Sequence, residues 1–226
     1  MQENQVEFFK QESWNYFQRN YHDKNVREVP MGRSLAQLLE VFPISIEGGS
    51  ILDIGCAAGN NLFRLKEMLR ANRGVGVEPS SLVTEADSKV FPELEFYQSD
   101  CRALPFRSGE FDLVVLIGVL CWVDREYLLQ SLGEAIRVSS KYFIVGDFAP
   151  RSPYSAIYHH QPDYRTYKLN VRPIVESTGF MRFVGSIYTD QKDEWNIMET
   201  VLFEKIDLAT AFPLKSRQSF DNSATD

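Results

Sequence analysis

Apolar positions first recur at helical spacing and then, from Ser50, fall into short runs separated by amphipathic segments. Val6, Phe9, Trp14, Phe17 and Tyr21 make a loose helical stripe, and Leu35, Leu38, Leu39 and Phe42 make a sharper one after Pro30. Recurrence at three and four residues predicts two amphipathic helices, which Pro43 and Gly48-Gly49 close. Residues 1–49 therefore read as an N-terminal helical cap.

Strands are expected at Ile51–Ile54, Gly74–Glu78, Leu94–Gln98, Phe111–Ile117 and Tyr142–Phe148. Phe111–Ile117 is apolar enough to lie in mid-sheet, covered on both faces. Interleaved helices are marked by Leu62, Leu65 and Leu69, by Leu82, Ala86 and Val90, and by Leu128, Leu129, Leu132 and Ile136. Asn60 and Ser80 or Ser81 are their capping candidates.

Residues 149–168 break the rhythm. Pro150, Pro153 and Pro162, the pair His159-His160, and Tyr154, Tyr158, Tyr164 and Tyr167 read as a long loop or lid-like insertion. Val171, Ile174, Val175 and Thr178 then mark a short helix with Gly179 just past its end. Met181–Thr189 and Trp195–Ile206 have no helix-length gap between them and should pair as an antiparallel hairpin at a sheet edge. The polar stretch 209–226 reads as a flexible tail. Strand–helix alternation implies right-handed crossovers. The predicted fold is α/β, a doubly wound, Rossmann-like seven-stranded sheet over residues 50–208. It is mostly parallel with a C-terminal antiparallel hairpin, and helices cover both faces.

Charge and cysteine content narrow the function. A net charge of −7 argues against an extended phosphate-binding face and so against nucleic-acid partners. Cys56, Cys101 and Cys121 sit in or beside apolar runs without metal-ligand spacing, and read as reduced, buried thiols. No metal site is expected. No apolar run approaches the ~18 residues of a membrane span, and the polar start shows no secretory signal. A cytoplasmic protein without membrane association is expected, monomeric or homodimeric.

The chemistry concentrates at successive strand ends, where open α/β sheets bind ligands. Asp53-Ile54-Gly55-Cys56-Ala57-Ala58-Gly59 follows the first strand. Its glycines permit a tight turn and close backbone approach to a ligand. The segment lacks the third glycine and the spacing of a dinucleotide site. Glu78, nineteen residues beyond Gly59, ends Gly76-Val77-Glu78-Pro79, where an acid can accept ribose hydroxyls. Asp100-Cys101 follows the third strand, where a carboxylate can accept from an adenine amino group.

Four segments resemble the small-molecule branch of the class I S-adenosylmethionine-dependent methyltransferases: residues 52–59, 76–80, 100–106 and Phe111-Asp112-Leu113-Val114-Val115. The resemblance implies S-adenosylmethionine as cofactor and S-adenosylhomocysteine as product. Asp53, Gly55, Cys56, Ala57 and Gly59 would hold the methionyl end, and Glu78 with Pro79 the ribose. Asp100 and the Cys101 amide would take the adenine, with Ile117 and Gly118 beside the sulfonium. Ala57 departs from the family, which usually has glycine there.

Ile117-Gly118-Val119-Leu120-Cys121-Trp122 lacks the Asn or Asp with Pro-Pro and an aromatic found after this strand in many base methylases, which disfavours nucleic-acid base methylation. It also lacks the histidine pair of many small-molecule relatives. Trp122 could wall an acceptor pocket or pack the next helix. Trp14, Tyr21 or Arg33 could reach the pocket from the N-terminal helices. His159 and His160 are general-base candidates because histidine titrates near neutrality, and Asp147 at a strand end is another. The expected activity is methyl transfer to O, N or C of a small molecule. A sugar or glycan precursor ranks first, by a faint similarity of Tyr158-His159-His160 and Thr166-Tyr167-Lys168 to surface-glycan enzymes. The alternative is a catalytically inactive cofactor-binding sensor or assembly partner.

Overall fold

The computed structural model describes residues 3–189 and 197–207. Trp195 and the expected tail 209–226 lie outside the described residues. Two helices, α1 (Glu3–Tyr21) and α2 (Arg33–Val41), precede β1 (Ser50–Ile54), α3 (Asn60–Met68), β2 (Arg73–Glu78), α4 (Ser81–Val90) and β3 (Glu95–Gln98). Then come β4 (Phe111–Ile117), α5 (Leu128–Val138), β5 (Ser139–Phe148), β6 (Tyr154–Tyr158) and β7 (Gln161–Lys168). The described chain closes with α6 (Arg172–Ser177), β8 (Met181–Thr189) and β9 (Met198–Lys205).

Seven strands form one sheet in the order β3-β2-β1-β4-β5-β9-β8. Strands β1 to β5 run parallel, and β9 lies antiparallel to both β5 and β8. The expected C-terminal hairpin is present, its later strand inserted beside β5 and its earlier one forming the edge.

Period-two alternation explains why the sheet carries a layer on each face. In β1, Ile51 joins Leu35, Leu38, Leu62, Leu65 and Val83 on the α1–α4 side. Its neighbours Leu52 and Ile54 join Leu128, Leu132, Ala135 and Val175 on the α5–α6 side. Strand β4 splits the same way, Leu113 and Val115 to one layer and Val114 and Leu116 to the other. Phe42 falls just past α2, and its ring covers Gly185 of β8 so closely that a Cβ there would collide with it.

Residues 149–168 are not the expected long loop. Within them β6 and β7 pair antiparallel as a separate two-stranded ribbon, turning at His159-His160. Alternating half-buried and exposed residues along Tyr154–Tyr158 carry the strand signal that the prolines obscured. A two-stranded ribbon consists only of edge strands, where proline costs no interior ladder bond, and Pro162 has no cross-strand partner in the register. The capping expectations also need correction. Gly59 (φ +71°), rather than Asn60, holds the N-cap of α3, and Asn60 Nδ2 donates to the Pro30 carbonyl. Ser80 does occupy the N-cap of α4, but its side chain makes no capping bond.

Candidate functional site

The sheet order reverses between β1 and β4, and the crevice at their carboxyl ends is the topological switch point. Parallel register brings the ends level: Asp53 stands beside Gly76 and Val115, and Ile54 beside Val77 and Leu116. Gly55, Glu78 and Gly118 therefore leave the sheet along one rim. A cavity of about 390 Å³ opens there.

Of the sequence candidates, Gly55, Cys56, Ala57, Glu78, Pro79, Asp100, Cys101, Ile117 and Gly118 line this cavity. Asp53 and Gly59 do not; both are buried behind the lining. Helix α1 lays Phe9, Glu12, Ser13, Tyr16 and Tyr21 over it, and Trp122, Val123, Asp124 and Tyr127 close the side after β4. Trp122 thus walls the cavity, with its indole edge-on to Tyr158 at 4.6 Å. Trp14 and Arg33 are not among the lining residues, and Trp14 stacks on Phe17 instead.

The three catalytic candidates stand elsewhere. His159 and His160 are exposed at the ribbon turn and do not line the cavity. Asp147 is buried in β5 and accepts the Cys121 amide at 2.9 Å and the Phe148 amide at 2.7 Å, tethering the turn after β4. Burial raises its carboxyl to about 6, against the lowering effect of those two amides. A paired carboxylate beneath the wall and two histidines in solvent place none of the three expected bases at the cavity.

Local geometry explains the loop after β1. Gly55 has φ +72°, and a Cβ on it would run into Val119. Ala57 also lies in the left-handed region at φ +49°, where a side chain costs roughly 1–2 kcal/mol. Its amide is held by Glu78 Oε2 at 3.0 Å, which binds the turn to the end of β2. Ser13 of α1 donates to Glu78 Oε1 at 2.6 Å, so helix, loop and strand meet on one carboxylate. Asp100 is committed differently, paired with the Arg102 guanidinium at 2.7 Å. Both Glu78 oxygens keep a second lone pair for a ligand, whereas Asp100 Oδ1 already accepts from the Arg102 amide and Nε.

The electrostatics under the cavity were not visible in the sequence motifs. Asp87 of α4 is buried against Asp53 and Glu78, and Oδ2 of both Asp53 and Asp87 has no hydrogen-bond partner. Burial, then Glu78, pushes Asp53 up to about 7. Burial, then Glu78 and Asp53, pushes Asp87 up to about 9. Burial also raises Glu78, opposed by the Ser13 and Ala57 hydrogen bonds. The Cys56 thiol is driven upward by burial and these same acids, which makes it a neutral wall rather than a nucleophile. Three buried acids, two of them with an unsatisfied oxygen, suit a cation-bearing ligand, and S-adenosylmethionine carries a sulfonium and an ammonium. The residues present fit that group.

The sign of these shifts has a consequence for stability. Native carboxyls raised above their unfolded values bind protons that the unfolded chain has released. Stability from Asp53 and Asp87 is complete below about pH 4 and is lost as pH rises through about 7 and then about 9. The melting temperature without ligand is expected to fall between pH 6 and pH 9, and Asp87→Asn to flatten that fall. An unchanged slope in the variant would show that Asp87 titrates normally.

Asp87 and the α1 residues escape a reading of the sequence for different reasons. Glu12 and Ser13 sit one turn beyond Phe9 and one turn before Tyr16, so the helical period could have put them on the same face. Nothing local distinguishes Asp87 from a solvated helix acid.

Residues 51–141 match the family model described as a methyltransferase domain. A ubiquinone/menaquinone biosynthesis C-methyltransferase of Geotalea uraniireducens is 27% identical over 138 residues, 57% of this chain and 56% of that protein. Trans-aconitate 2-methyltransferase of Azoarcus sp. is 29% identical over 106 residues, 46% of this chain and 41% of that protein. The chain spans between 18% and 56% of the length of four curated relatives that it matches. Among solved structures, the Burkholderia thailandensis 1,6-didemethyltoxoflavin-N1-methyltransferase, with its substrate and S-adenosylhomocysteine bound, superposes with a TM-score of 0.63 at 13% identity. That match covers 90% of this chain and 87% of the other.

Proposed function

We propose that this chain, whose residues 51–141 match a methyltransferase domain, is a class I S-adenosylmethionine-dependent methyltransferase that transfers a methyl group to a small molecule held under α1. One observation carries the reading. The switch-point cavity joins the loop after β1, Glu78 and Asp100 to a second, aromatic half built by α1 and the segment after β4.

In this reading Gly55, Cys56 and Ala57 hold the methionyl end, Gly59 shapes their loop from behind, and Asp53 with the other buried acids beneath favours its positive charge. Glu78 and Pro79 take the ribose, Asp100 and the Cys101 amide the adenine, and Ile117 and Gly118 face the sulfonium side. When bound, the cofactor supplies a methyl group already activated for in-line displacement. The work left to the protein is to align the acceptor and exclude water, so orientation supplies most of the rate. Phe9, Tyr16 and Trp122 provide a dry wall for that purpose. An acceptor of sugar or glycan type suits these aromatic faces. A soluble protein of the cytoplasm, acting on no nucleic acid, agrees with the acidic charge, and among the described residues no helix is long and apolar enough to cross a membrane.

Calorimetry with S-adenosylmethionine and S-adenosylhomocysteine tests the proposal, followed by methyl transfer to a panel of hydroxyl and amine acceptors. Micromolar binding of both and turnover of at least one acceptor are expected. Binding without any turnover would favour a sensor, and no binding would remove the proposal.

A further inference from the structure

The aromatic half of the cavity holds two acids that the cofactor motifs leave unused, Glu12 and Asp124. Glu12 of α1 lines the cavity and is only 6% exposed. Its Oε1 accepts from the Arg19 guanidinium and from the Tyr158 hydroxyl. Its Oε2 is buried with no hydrogen-bond partner. A buried carboxylate oxygen left unsatisfied costs roughly 1–3 kcal/mol, and a ligand donor would recover it.

The surroundings define what that donor can belong to. Phe9, Tyr16 and Trp122 offer ring faces and edges, and Asp124 adds a second carboxylate to the lining. Arg102 is the one basic residue among the described lining residues, and it is paired with Asp100 at 2.7 Å. Arg19 does not line the cavity; it stands behind Glu12, pinning the carboxylate and hydrogen-bonded to Tyr158. A carboxylate or phosphate entering this half would meet two acids and no available cation. A hydroxyl or protonated amine would meet a fixed acceptor between aromatic walls, where a cation also gains from the ring faces.

Resting on the methyl-transfer reading, we propose that Glu12 anchors the acceptor, which presents a hydroxyl or amine donor beside an apolar ring and carries no anionic group there. Glu12 is then a specificity-determining residue supplied by the N-terminal helix.

Three fragments that differ only in their head group test this: benzylamine, benzyl alcohol and benzoate. Each is titrated by NMR into the protein with and without S-adenosylhomocysteine. Benzylamine and benzyl alcohol are expected to bind at least ten-fold more tightly than benzoate, perturbing Trp122. Glu12→Gln keeps an oxygen for Arg19 and Tyr158 and is expected to bring the three within three-fold of one another. Melting temperature checks the variant's fold. Equal or tighter benzoate binding, an unaltered preference in the variant, or no binding of any fragment overturns the proposal. Failure of S-adenosylhomocysteine to bind falls on the methyl-transfer reading instead, because the comparison of Glu12→Gln with the natural chain is also read without it.

Discussion

Asp53→Asn is expected to weaken S-adenosylmethionine binding about 100-fold while leaving the protein without ligand as stable as before, or more so, at pH 8. The two effects have one cause. Asp53 is 4% exposed, keeps Oδ2 unpartnered, and shares its surroundings with Glu78 and Asp87. Without a ligand, ionising it is unfavourable, so an amide of the same shape relieves repulsion at alkaline pH. With a cationic ligand bound, the carboxylate becomes a partner, and leaving a buried charge uncompensated costs roughly 3–5 kcal/mol. A 100-fold loss is about 2.8 kcal/mol, just below that range because the amide keeps some hydrogen bonding to the ligand. Calorimetry and thermal melting on the same samples decide the matter. Affinity within three-fold of the natural chain would remove Asp53 from the site, and a large drop in melting temperature would make its role structural.

Gly55→Val should act on the fold itself. At φ +72° a β-branched residue pays roughly 1–2 kcal/mol of backbone strain. Its Cβ also meets Val119, and overpacking of that kind costs roughly 1–3 kcal/mol. For a domain of this size, 1 kcal/mol moves the melting temperature by roughly 2–4 °C, so a fall of about 5–15 °C is expected, with cofactor binding lost. Gly118 provides the contrast. It has φ +69° with nothing within 4 Å of a Cβ, so alanine there carries the strain without the collision. Equal destabilisation at both positions would show that strain alone accounts for the Gly55 effect.

What could be read from the chain divides along physical lines. The sheet was legible because β1, β2 and β4 are buried runs bounded by turn residues, and Gly179 marks the approach to β8. The rim of the site was legible because Gly55, Glu78 and Asp100 each follow a strand directly, and strand ends fall on one side of a parallel sheet. The ribbon β6–β7 was not, since its prolines argue against a strand until one knows that both strands are edges. Asp87 and Glu12 were invisible for a deeper reason. Their significance depends on burial against residues 34 and 146 positions away, Asp53 and Tyr158, and no local pattern encodes such a meeting. Ala57 was noticed as a departure, while its left-handed backbone and its bond to Glu78 needed coordinates.

The contact between Glu12 and Tyr158 has a bearing on how the molecule comes to exist. Helix α1 leaves the ribosome long before the ribbon that clasps it through Tyr158, Arg19 and the stacked rings of Phe8 and Tyr164. The latch closes a loop of 146 residues, whose entropic cost only the finished sheet between its ends can offset. The roof of the cavity is thus a late, non-local assembly on a core built from nearer neighbours. Synthesis order separates the part of the chain that makes the floor from the part that completes the chamber.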